Sequence, residues 1–394
     1  MLHDLVKKFV ENRNTAIEWI EAKRAETPLP PYASCDIRNS GFKLTQVDTN
    51  LFPAGWNNLC PSYKKKAASH FADYFGSNYP KVKSIAVLTE DHTRNTFYFS
   101  NLLALQTILI EAGFEVKLVN PVVEEVSEFK TAEDEPIALH PMSELATSDL
   151  VLLNNDLSSG EVELGFDGPV LPSLDLGWHK RKKSDHFAEF NKLVEEFANI
   201  IGFDAWHLKT EFAAVDGVNI NEEADRARLA EEVDKLLAKI SSEYAERGIE
   251  NEPVVFVKND SGTYGMGVIS VRSGQEILDL NRKNRNKLSV GKSGMQISNF
   301  LVQEGVPTVD KIKGNTAEPV AYIAGGRTAG GFFRVNDQKD ENENLNSTGM
   351  KFVKLCFDKV LGYENAYATE CSLECLEKLY DVVANLAVLA AARE

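Results

Sequence analysis

The spacing of apolar positions changes several times along this chain, and each change predicts an element. Over residues 1–24 charged and apolar side chains recur at helical spacing, which predicts a leading helix that TPLPP at 27–31 breaks. The next stretch, 32–60, is dense in Asn, Asp, Gly and Pro and reads as loop, either a surface linker or a binding surface. KSIAVLT (83–89) is an unbroken apolar run of the kind a buried strand shows. NTFYFSNLLALQTILIEAG (95–113) reads as a helix ended by Gly113, and FEVKLVN (114–120) as the next strand, so a βαβ unit is predicted. A further buried run, DLVLLNN (149–155), ends in the polar tip NNDLSSG (154–160), where loops at the carboxyl ends of parallel strands gather ligands.

Past residue 183 the pattern changes character. Phe187, Phe190, Leu193, Val194, Phe197 and Ile201 line one face of an amphipathic helix, and 221–247 forms a second, strongly charged one. WHLKTEFAAV (206–215) between them contains a short strand. PVVFVKN and GVISVRS flank a glycine-rich loop as two strands, and NFLVQEGV, EPVAYIAG and GFFRVN supply three more. The second half is thus α+β with a mostly antiparallel sheet. NDQKDENENLNSTG (336–349) is polar and of low complexity, a mobile loop unless its carboxylates and amides face a metal, and an apolar-rich helix (375–392) follows. No internal repeat is visible.

Composition narrows the function classes. With 394 residues and 43% hydrophobic content the chain can bury two or three cores. No apolar run is long enough to span a bilayer, and the N-terminal stretch has no signal-peptide pattern, so a cytoplasmic protein is expected. Five scattered cysteines fit reduced thiols; Cys371 and Cys375 have helical spacing but no histidine nearby to suggest a metal site. A net charge of −16 argues against nucleic-acid binding. Two basic clusters, 179–186 and 281–287, stand out; each is either a solvated face or a contact for a phosphorylated small molecule.

The chemistry concentrates around VVFVKNDSGTYGMGV (254–268). Gly262, Gly265 and Gly267 let backbone N–H groups approach phosphate oxygens while Lys258, at the end of a buried strand, neutralises them. Neither Walker A nor dinucleotide-fold spacing is matched, so the loop is either a flap between strands or an ordinary glycine-rich hairpin. Further on, Gln303 and Glu304 in LVQEGVP suit an adenine edge and a ribose hydroxyl. Glu318, Arg334, Asn336, Glu343, Asn344 and Asn346 offer hard oxygen ligands and a guanidinium, as a magnesium nucleotide and a charged transition state require. This order of parts resembles that of ATP-grasp enzymes.

Five blocks carry a more specific resemblance: DIRNSGFKLTQVDTNLFPAGWNNL (36–59), LLNNDLSSG (152–160), GTYGMGV (262–268), FFRVN (332–336) and ENLNSTGMKF (343–352). Together they resemble the proteobacterial ATP-grasp-like glutamate–cysteine ligase family and extend over nearly the whole chain. The resemblance implies that ATP phosphorylates the γ-carboxylate of glutamate and that the cysteine amine displaces phosphate, giving γ-glutamylcysteine, the first step of glutathione biosynthesis. The domains expected are an N-terminal helix at 1–30, an α/β substrate-binding domain with a parallel sheet at 31–175, and an ATP-grasp-like nucleotide-binding and catalytic region at 176–394. An ATP-grasp ligase joining another acid and amine, and a nucleotide-binding protein without turnover, are the alternatives.

Roles follow from the resemblance together with side-chain chemistry. Lys258 and Lys183 are expected on the ATP phosphates, and Arg334 on the acyl-phosphate and tetrahedral oxyanion. Glu318, Glu343 and Asn346 are the magnesium candidates, since the Glu-x-Asn pair of most such ligases has no counterpart on a later strand. Arg38, Lys43, Asp48, Asn50, Arg94, Asn155 and Asp156 are expected to pair the α-carboxylates and ammonium groups of the amino acids, or else to fix their own loops. His92, His179 and His186 are poor general-base candidates, because removing a proton from an ammonium needs only a carboxylate or water. Trp56 and Trp178 read as packing residues.

Overall fold

The computed structural model describes residues 2–261, 267–290, 296–354, 363–364 and 373–394. The leading stretch forms two helices where one was expected, α1 (Leu2–Glu11) and α2 (Arg13–Glu26). Leu2, Leu5 and Phe9 are buried along one face of α1, and Ala16 and Ile20 along one face of α2. Between them the Asn12 amide donates to the Lys8 carbonyl at 2.9 Å, closing the end of α1.

Residues expected to be loop are instead the strands β1 (Tyr32–Asn39) and β2 (Leu44–Asn50), paired antiparallel. Their polar side chains hid them, because those side chains are buried against partners from distant parts of the chain. After α3 (Pro61–Asn78) comes the expected βαβ unit: β3 (Ser84–Leu88), α4 (Thr96–Glu111) and β4 (Glu115–Val119). Asn95 caps α4 by accepting the Tyr98 N–H at 3.1 Å. A small hairpin of β5 (Ser127–Lys130) and β6 (Pro136–Leu139) precedes β7 (Leu150–Leu153) and β8 (Val170–Leu171). The order β4-β3-β7-β8 makes a parallel sheet. Both its faces are covered: Ile85, Val87, Leu150 and Leu152 enter one core, and Ala86, Leu88, Val151 and Leu153 the other. Covering on both faces is why these strands read as unbroken apolar runs.

The second half contains α5 (Lys183–Ile201), β9 (Phe212–Val215), α6 (Glu223–Glu246), β10 (Val255–Asn259), β11 (Ile269–Val271), α7 (Gly274–Leu278), α8 (Arg282–Ser289) and β12 (Phe300–Glu304). An antiparallel sheet ordered β11-β10-β12-β9 is backed by Leu229, Val233, Leu236, Leu237 and Ile240 of α6. The glycine-rich segment therefore joins two adjacent antiparallel strands and opens no helix. Gly262 and Gly265 lie outside the described residues; Gly267 has a φ of 66°, and a Cβ there would stand 3.1 Å from the Lys287 carbonyl.

The remaining elements are β13 (Lys311–Ile312), β14 (Asn315–Ala324), β15 (Arg327–Asn336), β16 (Lys351–Lys354), β17 (Tyr363–Glu364) and α9 (Leu373–Ala391). Gly325 and Gly326, at φ 56° and 71°, turn β14 into β15. The central sheet runs β16-β15-β14-β1-β2, with β13 paired to β14 and β17 paired to β13. β1 and β2 thus belong to the sheet of the chain's second half, although a division at residue 31 sets them with the parallel-sheet unit. The cause is long-range pairing, Tyr32 opposite Ala324 and Asp36 opposite Val320, to which local composition is blind.

Period-two alternation gives this sheet two unlike faces. Ala33, Cys35, Ile37, Ala321 and Ile323 join the apolar core that α9 fills with Val383, Leu386, Ala387 and Ala390. Asp36 and Arg38 lie on the opposite face, and Glu318 stands directly across from Arg334. The turn of the β1–β2 hairpin also reaches the other antiparallel sheet. Lys43 Nζ donates to both carboxylate oxygens of Glu304 at 2.7 Å, and both side chains are 0% exposed. No helix among the described residues is long and apolar enough to cross a membrane.

Removing one member of a fully buried pair strands a charge, so Lys43→Met is expected to lower the unfolding free energy by about 3–5 kcal/mol. Lys43→Met/Glu304→Leu should regain most of that loss. Urea denaturation of both variants at pH 7 measures the difference.

Candidate active site

The polar face of the central sheet is organised by four charges. The Arg334 guanidinium meets the Asp36 carboxylate at 2.8 and 3.3 Å and Glu318 Oε1 at 2.5 Å. The other oxygen of Glu318 accepts from Arg38 Nε. Burial would raise the Glu318 carboxyl, but the two guanidiniums more than offset it and hold the group below its ordinary value. Asp36, buried and beside Glu318, is pushed up in spite of Arg334. Arg334 Nε is buried without a hydrogen-bond partner among the described residues.

Arg38 extends the network into the segment after β15. Its two terminal nitrogens donate to the carbonyls of Glu341 and Glu343, each at 2.9 Å. The Asn336 amide reaches the Leu345 and Thr348 carbonyls and the Ser347 hydroxyl at 3.3–3.4 Å. The stretch 336–349, a mobile loop by composition, is thereby tied down along its length.

A second group of charges stands where the two antiparallel sheets approach. Lys258 on β10 and Gln303 on β12 both donate to the Val47 carbonyl, at 3.1 and 3.3 Å. Lys183, at the start of α5, pairs with Asp48 at 2.5 Å and lies 4.4 Å over the Trp178 ring, which Arg181 also faces at 4.6 Å. Asp260 fixes the start of α5 to the end of β10, accepting the Ser184 N–H at 2.8 Å and the Ser184 hydroxyl at 2.7 Å. Burial, with the Lys183 ammonium nearby, pushes Lys258 down to about 8 despite Asp48. Burial would raise Asp48, but Lys183 and Lys258 hold it well below the usual carboxylate range.

Two cavities are lined in part by the loop that Arg38 and Asn336 hold, and the smaller also opens on charges of both groups. The smaller, about 230 Å³, is lined by Asp36, Asp48, Asn50, Asp156, Arg334 and Asn346 among others. The larger, about 710 Å³, lies between β11 with α8 and the pinned loop; Val268, Asn281, Asn284, Lys287, Glu343 and Asn346 are on its wall. Asn346 lines both. Part of the basic cluster at 281–287 thus faces a cavity.

The expected residues divide accordingly. Asp48, Asn50, Asp156, Arg334 and Asn346 come together at the small cavity, and Lys183 reaches it through Asp48. Lys43 and Glu304 do not serve substrate and ribose: each is the other's buried partner, with no surface for a ligand. Arg38 is no substrate clamp in this structure, because Nε and both terminal nitrogens are taken by Glu318 and the loop carbonyls. Glu318 has both carboxylate oxygens on guanidiniums, which fix its position between Arg38 and Arg334. Arg94 is exposed before α4 and lines neither cavity, and Asn155 donates to the Thr89 carbonyl after β3 at 3.1 Å while accepting the Leu157 N–H of its own turn at 3.0 Å. Glu343 keeps its place on the large cavity's wall, with Lys339 at 2.6 Å.

Sequence reasoning missed Asp36, although its spacing two residues before Arg38 in a strand was the available signal. His92, His179 and His186 line neither cavity; His186 lies against Glu394 at 2.5 Å, and burial lowers its pKa. Among the described residues the close grouping of metal-capable side chains is Glu90, Asp91 and His92 after β3; they line neither cavity, although Glu90 accepts the N–H of the wall residue Asp156 at 3.1 Å. Glu343, Asn344 and Asn346 present the hard oxygen donors that a magnesium ion with a polyphosphate takes.

The sequence pattern of the glutamate–cysteine ligase family matches residues 6–394. The crystal structure of a candidate gamma-glutamylcysteine synthetase from Methylobacillus flagellatus KT is 38% identical, with a TM-score of 0.89, and the match covers 100% of this chain and 95% of that one. D-alanyl-alanine synthetase A from Vibrio cholerae O1 biovar eltor matches at 14% identity and a TM-score of 0.35 over 77% of this chain and 80% of that one, a likeness from which nothing is drawn. Curated proteins give no match by sequence.

Lys258 generates a prediction about stability. Its native pKa of about 8 lies below the ordinary value of 10.5, so burying its charge costs stability in full below about pH 8, and the cost fades as pH rises toward 10.5. Lys258→Met should therefore be more stable than the parent at pH 7, by about 1–3 kcal/mol, because Gln303 still serves the Val47 carbonyl. Urea midpoints should show this advantage shrinking by pH 10.

Proposed function

The chain belongs to the glutamate–cysteine ligase family, and on that footing we propose that it joins L-glutamate to L-cysteine with ATP, forming γ-glutamylcysteine through a γ-glutamyl phosphate. In this reading the product enters glutathione biosynthesis. The observation that carries the proposal is that Asn346 lines both cavities and shares the smaller with Arg334, whose Nε has no partner among the described residues. An amino acid fits the smaller space, and a nucleotide whose polyphosphate reaches from the larger space toward Lys183 and Lys258 would bring the transferred phosphoryl group to this point.

The proposed steps are an attack of a γ-carboxylate oxygen on the γ-phosphorus of ATP, with ADP leaving, and addition of the cysteine nitrogen to the acyl carbon. Collapse of that adduct breaks the acyl C–O bond, releases phosphate, and sends the ammonium proton to solvent or a carboxylate. Negative charge develops on oxygen in both steps, and Arg334 is placed to stabilise it from a position already fixed by Asp36 and Glu318. Lys183 and Lys258 would neutralise the polyphosphate. Gln303, whose buried Oε1 has no hydrogen-bond partner among the described residues, is suited to accept from an adenine amino group. Magnesium, held by Glu343 and Asn346 with phosphate oxygens, would supply charge neutralisation. The three carboxylates Asp36, Asp48 and Asp156 on the small cavity suit substrates that carry ammonium groups.

ADP release that needs glutamate and cysteine together tests the assignment; stimulation by a different amine and none by cysteine would contradict it. With ¹⁸O in the γ-carboxylate of glutamate, one labelled oxygen should appear in the released phosphate. Arg334→Lys, which retains the charge but loses the planar fork, should lower kcat by about 10²-fold or more while changing the ATP dissociation constant less than about threefold.

A further inference from the structure

Asp48 occupies an unusual position between the two cavities' chemistries. On one side its carboxylate is bound at 2.5 Å by Lys183, with Lys258 close enough to add to its stabilisation. On the other it lines the small cavity with Asp36, Asn50 and Asp156, and its side chain is 39% exposed where that of Lys183 is 7%. Across the β1–β2 ladder it faces Asp36 directly. Two carboxylates opposite one another repel unless each has a cation. Asp36 has Arg334, and Asp48 has Lys183.

That arrangement cannot survive the arrival of a polyphosphate unchanged. The proposed phosphate lysines are the cations that neutralise Asp48, and a nucleotide brings several negative charges to compete for them. Once Lys183 and Lys258 turn to phosphate, the cation left near Asp48 is the Arg181 guanidinium, which is already paired with Glu394, and the wall of the small cavity gains negative charge. An amino-acid ammonium is the group that restores neutrality there, and an aspartate freed of its lysine can accept two of its N–H donors.

We propose that Asp48 is a shared counter-ion that passes from Lys183 to the substrate ammonium when nucleotide binds, so that ATP switches on the amino-acid site. The proposal rests on the ligase reading and adds to it a coupling between sites. Because coupling of binding is reciprocal, the amino acid tightens the nucleotide by the same factor. In the ligand-free protein Asp48 also keeps two buried ammonium groups from facing each other uncompensated.

The experiment is calorimetric titration of the full chain with L-glutamate and with L-2-aminobutyrate, a thiol-free cysteine analogue, each with and without saturating magnesium adenylyl imidodiphosphate. The expected result is that the nucleotide analogue lowers the dissociation constant of at least one amino acid by about fivefold or more. In Asp48→Asn, which is isosteric and retains an acceptor oxygen, the nucleotide should bind as tightly as in the parent or more tightly, and the coupling factor should fall to about one. Equal amino-acid affinity with and without the nucleotide in the parent protein overturns the proposal without reference to any variant. Coupling that persists in Asp48→Asn, or a loss of nucleotide affinity there, overturns it as well. The ligase reading fails on a different observation, absence of ADP release with glutamate and cysteine. Normal release without coupling would therefore remove this inference and leave that reading intact.

Discussion

One carboxylate holds two arginines at the centre of this protein, and the working face of the molecule is built outward from it. Glu318 is 3% exposed, with Arg38 on one oxygen and Arg334 on the other. With Asp36 the group contains two positive and two negative charges, so it is neutral as a set, and each member has ligands from a different strand or loop. Burying four charges is expensive, and mutual attraction repays that cost only where geometry and additional hydrogen bonds are good. Here the geometry comes from β-sheet register: Glu318 opposite Arg334, and Asp36 opposite Val320. The other face of the same strands packs mainly apolar side chains under α9, and that burial keeps the register from slipping by a residue, which would exchange the faces.

Preorganisation follows from the same set. An arginine already held by two carboxylates is fixed before charge appears nearby, and its Nε–H has no hydrogen-bond partner among the described residues. Arg38 carries the constraint one step further, because its outer nitrogens hold the backbone of the loop that brings Asn346 to both cavities. A polar, low-complexity segment is thus ordered by two side chains, Arg38 and Asn336, donating to its carbonyls. Low hydrophobicity predicts mobility only when the backbone has no such donors to meet.

These facts explain what was legible in the sequence. The parallel unit could be read because β3 and β7 are covered on both faces and show it as continuous apolar runs. The antiparallel strands around Lys258 were equally plain, and with them the position of the glycine-rich segment between two strands. β1 and β2 were illegible, since a hairpin whose Asp36, Arg38 and Asp48 on the strands and Lys43 in the turn are all paired inside the protein has the composition of a loop. The same blindness misplaced Lys43 and Glu304: a charged residue looks available for a ligand until the partner 261 positions away is known. Motif resemblance located the right blocks, but within a block it could not separate side chains that face a cavity, such as Asp48, from those consumed in holding it, such as Arg38.

The division between consumed and available charge also bears on why the lysines stay strained. Lys183 and Lys258 are nearly enclosed, and in the ligand-free protein their partners are one aspartate, one carbonyl and the faces of aromatic rings. A fuller set of acceptors would stabilise the fold and remove the reason for a phosphate to enter. A lysine held near a pKa of 8 by burial is short of negative charge, and that shortage is binding energy left available to a ligand. Arg334 illustrates the opposite arrangement, fully compensated and immobile, suited to a charge that appears only during reaction. Lys258 and Arg334 sit on different sheets, and the Lys43–Glu304 pair joins the β1–β2 hairpin of one to β12 of the other.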